Sequence, residues 1–150
     1  MPTPAAVAAH AADLDIRLKI NTVANRLNIN EDLAHGLLPL HPFRWKILQA
    51  KLVVGQNDAA INQLLITETE FQQYVARQMR IVSGSFPVIP ETAEAMTGSY
   101  AMIAPSGRFF DSCQGCHTYG RPILQVGIQQ AFNDVQFSET AFIKRGGIYA

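Results

Sequence analysis

The 150-residue chain is 48% hydrophobic and 16% charged, a balance that excludes a disordered segment and suits one ordinary globular domain with a buried core. Twelve basic residues cancel twelve acidic ones, which argues against a general nucleic-acid or membrane-surface protein and makes any anion site local. No apolar run reaches the roughly 18 residues of a membrane span, and the Ala- and Pro-rich start lacks the basic and strongly apolar regions of a secretory leader, so the expected location is the cytoplasm.

The first predicted element is a helix over residues 4–14, favoured by its alanines, with Pro2 and Pro4 at its start. A strand follows over residues 16–24. Asn25-Arg26-Leu27-Asn28-Ile29-Asn30 is then a polar loop, and Glu31 and Asp32 suit the first turn of a short helix ending near Gly36. Helix, strand, loop and helix form a fragment of α/β layering. Pro39 and Pro42 break the chain before a second strand over residues 44–54, a run long enough to be ambiguous with a helix, and Gly55-Gln56-Asn57-Asp58 is a turn.

Thr67 and Glu70 have the spacing of a capping box, and Phe71, Tyr74, Val75 and Gln78 or Met79 recur at helical period, predicting a helix over residues 68–80. Residues 83–97, with Pro87 and Pro90, read as loop. Residues 100–103 and 108–111 pair as a hairpin around Ala104-Pro105-Ser106-Gly107. Residues 123–132 look helical, and Ser138 caps a last helix that stops at Gly146 and Gly147.

Two strand segments carry the chemistry. Successive strand side chains point to opposite faces, so Lys19 and Asn21 share one face while Leu18, Ile20 and Thr22 share the other. Arg44 and Lys46 likewise share a face, opposite Phe43, Trp45 and Ile47. If the strands are buried and parallel, these cations must be matched by an anion or by carboxylates, and three cations and an amide suit a polyphosphate. If they are half-exposed, the same alternation is a solvated outer face.

Cys113-Gln114-Gly115-Cys116-His117 has the spacing of covalent c-type haem attachment. No export leader or clearly placed second axial ligand accompanies it, and zinc would lack an obvious fourth ligand. The alternative is a pair of reduced loop thiols.

Four segments, LKINTVANRLN at 18–28, LHPFRWKILQ at 40–49, SYAMIAPSGRFF at 99–110 and FIKRGGIY at 142–149, together resemble in order and spacing the C-terminal half of viperin-like radical S-adenosylmethionine enzymes. Residues 67–80 also resemble the family's helix in that place. The resemblance implies an α/β fold, the C-terminal part of a radical-type partial (βα) barrel. Residues 1–38 would be its last βα unit and residues 39–150 the extension that closes the substrate side. It further implies that Lys19, Asn21, Arg44, Lys46 and Arg145 bind the triphosphate of CTP, or of another nucleoside triphosphate. The family converts that substrate to its 3′-deoxy-3′,4′-didehydro analogue in antiviral defence. Tyr100 falls where the family has a tyrosine proposed to donate a hydrogen or proton late in the reaction.

A triphosphate carries about four negative charges and calls for Lys point charges together with forked Arg donors. Gly146 and Gly147 would let backbone approach the phosphates. Read without the resemblance, Arg145 is a cation at a helix C-terminus and Tyr100 a packed aromatic.

The chain departs from the family in several places. The family's four-iron, four-sulfur cluster sits on CxxxCxxC, whereas only Cys113 and Cys116 are present. The cluster and S-adenosylmethionine strands would precede Met1 in family order, so neither cofactor is expected to bind this chain alone and the chain is expected to be inactive alone. Leu124-Gln125-Val126-Gly127 stands where the family often has Leu-Asp-Val-Gly. The implied partners are a nucleoside triphosphate and an N-terminal radical half, either part of a longer open reading frame or a separate chain of a split enzyme, with no nucleic acid. The alternative is a stand-alone, non-catalytic nucleotide-binding or protein-interaction module.

Overall fold

The computed structural model describes residues 3–148; Pro2 and Tyr149, both singled out above, lie outside the described residues. The elements begin with α1 (Pro4–Asp13), β1 (Lys19–Ala24), α2 (Leu33–Leu37), β2 (Arg44–Gln49), α3 (Asp58–Leu64), α4 (Glu68–Val82) and β3 (Val88–Glu91). They continue with α5 (Ala93–Met96), β4 (Met102–Ile103), β5 (Arg108–Asp111), β6 (Thr118–Pro122), α6 (Ile123–Val126), α7 (Ile128–Asn133) and α8 (Glu139–Lys144). The fold is mixed α/β with one parallel and one antiparallel sheet. Two compact units divide the chain, residues 3–50 with 66–92 and residues 51–65 with 93–148, where composition alone had suggested one domain.

The first unit is built on the parallel sheet β1-β2-β3, with β2 in the centre. One face carries Ile20, Ala24, Trp45 and Ile47, and these pack with Phe71, Tyr74, Val75 and Val82 of α4 into the core. Trp45 and Ile47 are fully buried. The Trp45 indole donates to Thr22 Oγ1 at 3.0 Å, which supplies the polar edge of a buried indole with its acceptor. Fully buried Gln78 ties α4 to the start of α2: Ala34 N–H donates to its Oε1 at 3.0 Å and its Nε2 donates to the Glu31 carbonyl at 2.7 Å.

Helix α4 starts where the spacing predicts. Glu70 N–H donates to Thr67 Oγ1 at 3.2 Å and Thr67 N–H to Glu70 Oε2 at 2.8 Å, a complete capping box. Glu70 also takes both ends of the Arg26 guanidinium, joining the loop after β1 to this helix. The predicted loop over residues 83–97 is corrected: β3 lies there and pairs in parallel with β2, followed by α5. Prolines argue against a central strand, but β3 is an edge strand and edges accept them.

The second unit holds the hairpin of β4 and β5, closed by Ala104 N–H donating to the Arg108 carbonyl at 2.9 Å. Strand β6, absent from the sequence reading, extends it. Phe109 meets Phe132 edge to face at 5.3 Å, and Phe132, Phe137 and Phe142 continue the cluster. Arg121 and Asp134 join β6 to the end of α7 through two guanidinium bonds of 2.7 and 2.8 Å. The single helix expected over residues 123–132 is two, because Gly127 at φ +82° and ψ 162° lies between α6 and α7.

The Arg26 guanidinium bonded to Glu70, helped by the Thr67 backbone and hydroxyl, holds the Glu70 carboxyl down at about 2, against an ordinary 4.5. A depressed carboxyl pKa contributes stability that is fully present above about pH 4.5 and is lost as pH falls toward 2. In an acid titration followed by circular dichroism, Glu70→Gln should flatten that part of the stability profile. Thr67→Ala should cost about 1 kcal/mol in urea unfolding.

Candidate anion-binding site

Parallel pairing of β1 with β2 puts Lys19 opposite Arg44 and Asn21 opposite Lys46. The alternation read from the sequence therefore becomes one continuous polar patch on the sheet face opposite the core. Lys19 and Asn21 are exposed and Arg44 is half-buried. Lys46, at the centre, is 2% exposed.

A buried ammonium needs a partner, and Lys46 has one in Glu91 of β3, to whose Oε1 its Nζ donates. Glu91 is fully buried. Register explains the pair: Lys46 faces Ile89 across the β2/β3 ladder, and Glu91, two residues on, projects from the same face. Sequence reasoning missed Glu91, although its requirement that buried cations be matched by carboxylates or an anion pointed to such a residue. The signal was Val88-Ile89-Pro90-Glu91, an apolar pair followed by an acid, masked by its prolines. The patch thus holds three cations, an amide and one carboxylate. Beside it, Arg44 lies 5.6 Å and Arg17 4.4 Å from the Phe43 ring.

The other two predicted residues come together in the second unit. Arg145 directly follows α8 and is 8% exposed. Its Nε and Nη2 donate to the Ser99 carbonyl at 3.1 and 2.8 Å. Its guanidinium carbon stands 3.7 Å from the Tyr100 ring centre, a close cation–π stack. Ser99 is completely buried. Arg145 therefore combines the helix-terminal cation with an aimed guanidinium, and consecutive residues supply its carbonyl and its aromatic platform.

Cys113 is half-buried and Cys116 exposed, both as free thiols. His117 packs at a tilt against Phe110, with ring centres 4.7 Å apart, and Tyr119 stacks on Phe110 at 5.4 Å. Among the described residues no three His, Cys, Asp or Glu side chains gather as metal ligands, and no helix is long and apolar enough to cross a membrane.

Together these features define a mixed α/β protein whose parallel sheet presents a cationic face suited to a multiply charged anion. No family model matches the chain. Over 133 residues it is 45% identical to an S-adenosylmethionine-dependent nucleotide dehydratase of Flammeovirga pacifica, covering 89% of this chain and 44% of that protein. Proteins of the same name are 39% identical in Lacinutrix mariniflava, covering 88% of this chain and 27% of that protein, and in Psychrobacter lutiphocae, covering 87% and 41%. The chain is a homologue of the viperin-like S-adenosylmethionine-dependent nucleotide dehydratases, and it spans less than half the length of each of these relatives.

Removing one partner of a buried ion pair strands the other charge. Glu91→Ala should therefore cost about 3–5 kcal/mol in urea unfolding, whereas the double replacement Lys46→Met with Glu91→Leu should recover most of that loss.

Proposed function

We propose that this chain is the C-terminal, nucleoside-triphosphate-binding portion of a viperin-like radical S-adenosylmethionine enzyme that converts CTP, or another nucleoside triphosphate, to its 3′-deoxy-3′,4′-didehydro analogue in antiviral defence. The observation that carries the reading is the β1/β2 register, which sets Lys19 beside Arg44 and Asn21 beside Lys46 on one sheet face.

In this reading Lys19 and Lys46 act as point charges on the phosphates, Arg44 as a forked donor and Asn21 as a neutral one. Glu91, bonded to the Lys46 ammonium across the β2/β3 ladder, holds that side chain in place on the buried part of the face. The family resemblance adds Arg145, steadied by the Ser99 carbonyl and Tyr100, as a guanidinium for phosphate. Tyr100 is the candidate donor of a hydrogen or proton to the sugar.

Two exposed or half-buried cysteines do not fit a three-cysteine iron–sulfur site. We assign the cluster and S-adenosylmethionine to the length of the relatives that this chain does not span. Strand β1 is the edge of its sheet, the place where an N-terminal half, in the same polypeptide or as a separate chain, would add the preceding barrel strand. The chain's residues bind and orient the nucleotide, and catalysis requires that half.

Calorimetric titration with CTP tests the assignment. Lys19→Ala and Arg44→Ala should each weaken binding about tenfold, the loss of a charge-assisted hydrogen bond of roughly 1.5 kcal/mol, and added salt should weaken the wild type. CTP affinity that neither substitution changes would overturn it.

A further inference from the structure

The Cys113-Gln114-Gly115-Cys116 turn has no part in the proposed function, yet Cys113 sits in a connected network of the second unit. Asp111 accepts the Cys113 N–H on Oδ1 and the Gln136 N–H on Oδ2, both at 2.9 Å. Cys113 Sγ lies 3.8 Å from the Gln136 carbonyl oxygen, within the range of a thiol hydrogen bond. The same sulfur is 3.4 Å from the point a Cβ on Gly98 would occupy, so it packs directly on that backbone.

The backbone it touches holds both ends of α8. The Gly98 carbonyl accepts the N–H of Ser138, the N-cap residue, at 2.7 Å. The next carbonyl, Ser99, accepts both bonds from Arg145, the C-cap residue. Cys116 follows a turn in which Gly115 N–H donates to the Ser112 carbonyl at 3.2 Å and Gly115 takes φ +81°. That chain reversal, with two residues between the cysteines, is the compact spacing of a dithiol–disulfide couple.

We propose that Cys113 and Cys116 form a redox modification site, oxidised to an intramolecular disulfide by a small-molecule disulfide of the glutathione class, and that its state sets the position of Arg145. The exposed Cys116 leads. Its thiolate attacks one sulfur of the oxidant, forming a mixed disulfide and releasing a glutathione thiolate that takes up the proton Cys116 lost. The Cys113 sulfur then attacks Cys116 Sγ, and the second glutathione leaves with the proton from Cys113. Two protein thiols are oxidised and one glutathione disulfide is reduced to two glutathiones. Burial, then the adjacent Asp111 carboxylate, push the Cys113 thiol up, so the first attack falls to the exposed Cys116 and Cys113 reacts only once the mixed disulfide stands beside it.

Closure removes the S–H that reaches Gln136 and swings the sulfur toward Cys116, away from Gly98. The segment at Gly98 and Ser99 loses its packing partner, and the carbonyl that anchors Arg145 moves with it. The device stands whether or not Arg145 meets a phosphate.

The test uses the full chain, labelled with nitrogen-15, equilibrated across ratios of oxidised to reduced glutathione and followed by intact mass and by the Arg145 Nε–H resonance. Wild type should lose two hydrogens without retaining glutathione, and the Arg145 resonance should shift in step. Cys116→Ser, at an exposed position, should leave that resonance in its reduced-state place at every ratio. Accumulation of mixed disulfides alone, or an Arg145 resonance unmoved while the internal disulfide forms, would overturn the proposal.

Discussion

The buried ion pair between Lys46 and Glu91 is the constraint around which the first unit is arranged. A central parallel strand is normally apolar on both faces, and β2 is apolar on only one: Trp45 and Ile47 enter the core while Lys46 occupies the other face, almost wholly out of solvent. That is tolerable because β3 pairs in parallel and delivers a carboxylate to the same face. A buried ion pair is weak evidence for stability, since apolar residues of similar volume often serve as well. What the pair does fix is geometry: it holds the Lys46 ammonium on the same sheet face as Lys19, Asn21 and Arg44.

The sheet's two faces were legible because strand alternation has a period of two and needs no tertiary information. Lys19, Asn21, Arg44 and Lys46 sort correctly from the string alone, and the parallel register then aligns them. Glu91 did not, because Pro87 and Pro90 speak against a strand and only the position of β3 at the sheet edge makes them acceptable. The second strand was read too long for a related reason. Leu52, Val53 and Val54 continue the apolar run, but Asn57 bonds both Val53 N–H and the Lys51 carbonyl and turns the chain. The same cluster, read only as a turn, runs into α3, with Asn57 as its N-cap residue and Asp58 in its first turn.

In the second unit, the capping hydroxyl of Ser138 and the hairpin after Ile103 are local and were readable. The environment of Arg145 is not local. Its acceptor is a backbone carbonyl 46 residues away, and a carbonyl leaves no trace in side-chain identity. Ser99 and Tyr100 were legible as part of a family-like string, whereas their joint role as anchor and platform for one guanidinium emerges only from the fold. Homology over nearly nine-tenths of the chain agrees with that string and reaches only a minority of each relative's length, which is why the chemistry of the whole enzyme enters as a proposal.

On this reading the sheet face of Lys19 and Lys46 is a phosphate-binding surface. Selective nitrogen-15 labelling of lysine, with the side-chain Nζ resonances followed as CTP is added, examines it directly. With such a surface the Lys19 and Lys46 resonances shift together along one saturating curve. Saturable binding that leaves Lys19 and Lys46 unshifted would contradict it.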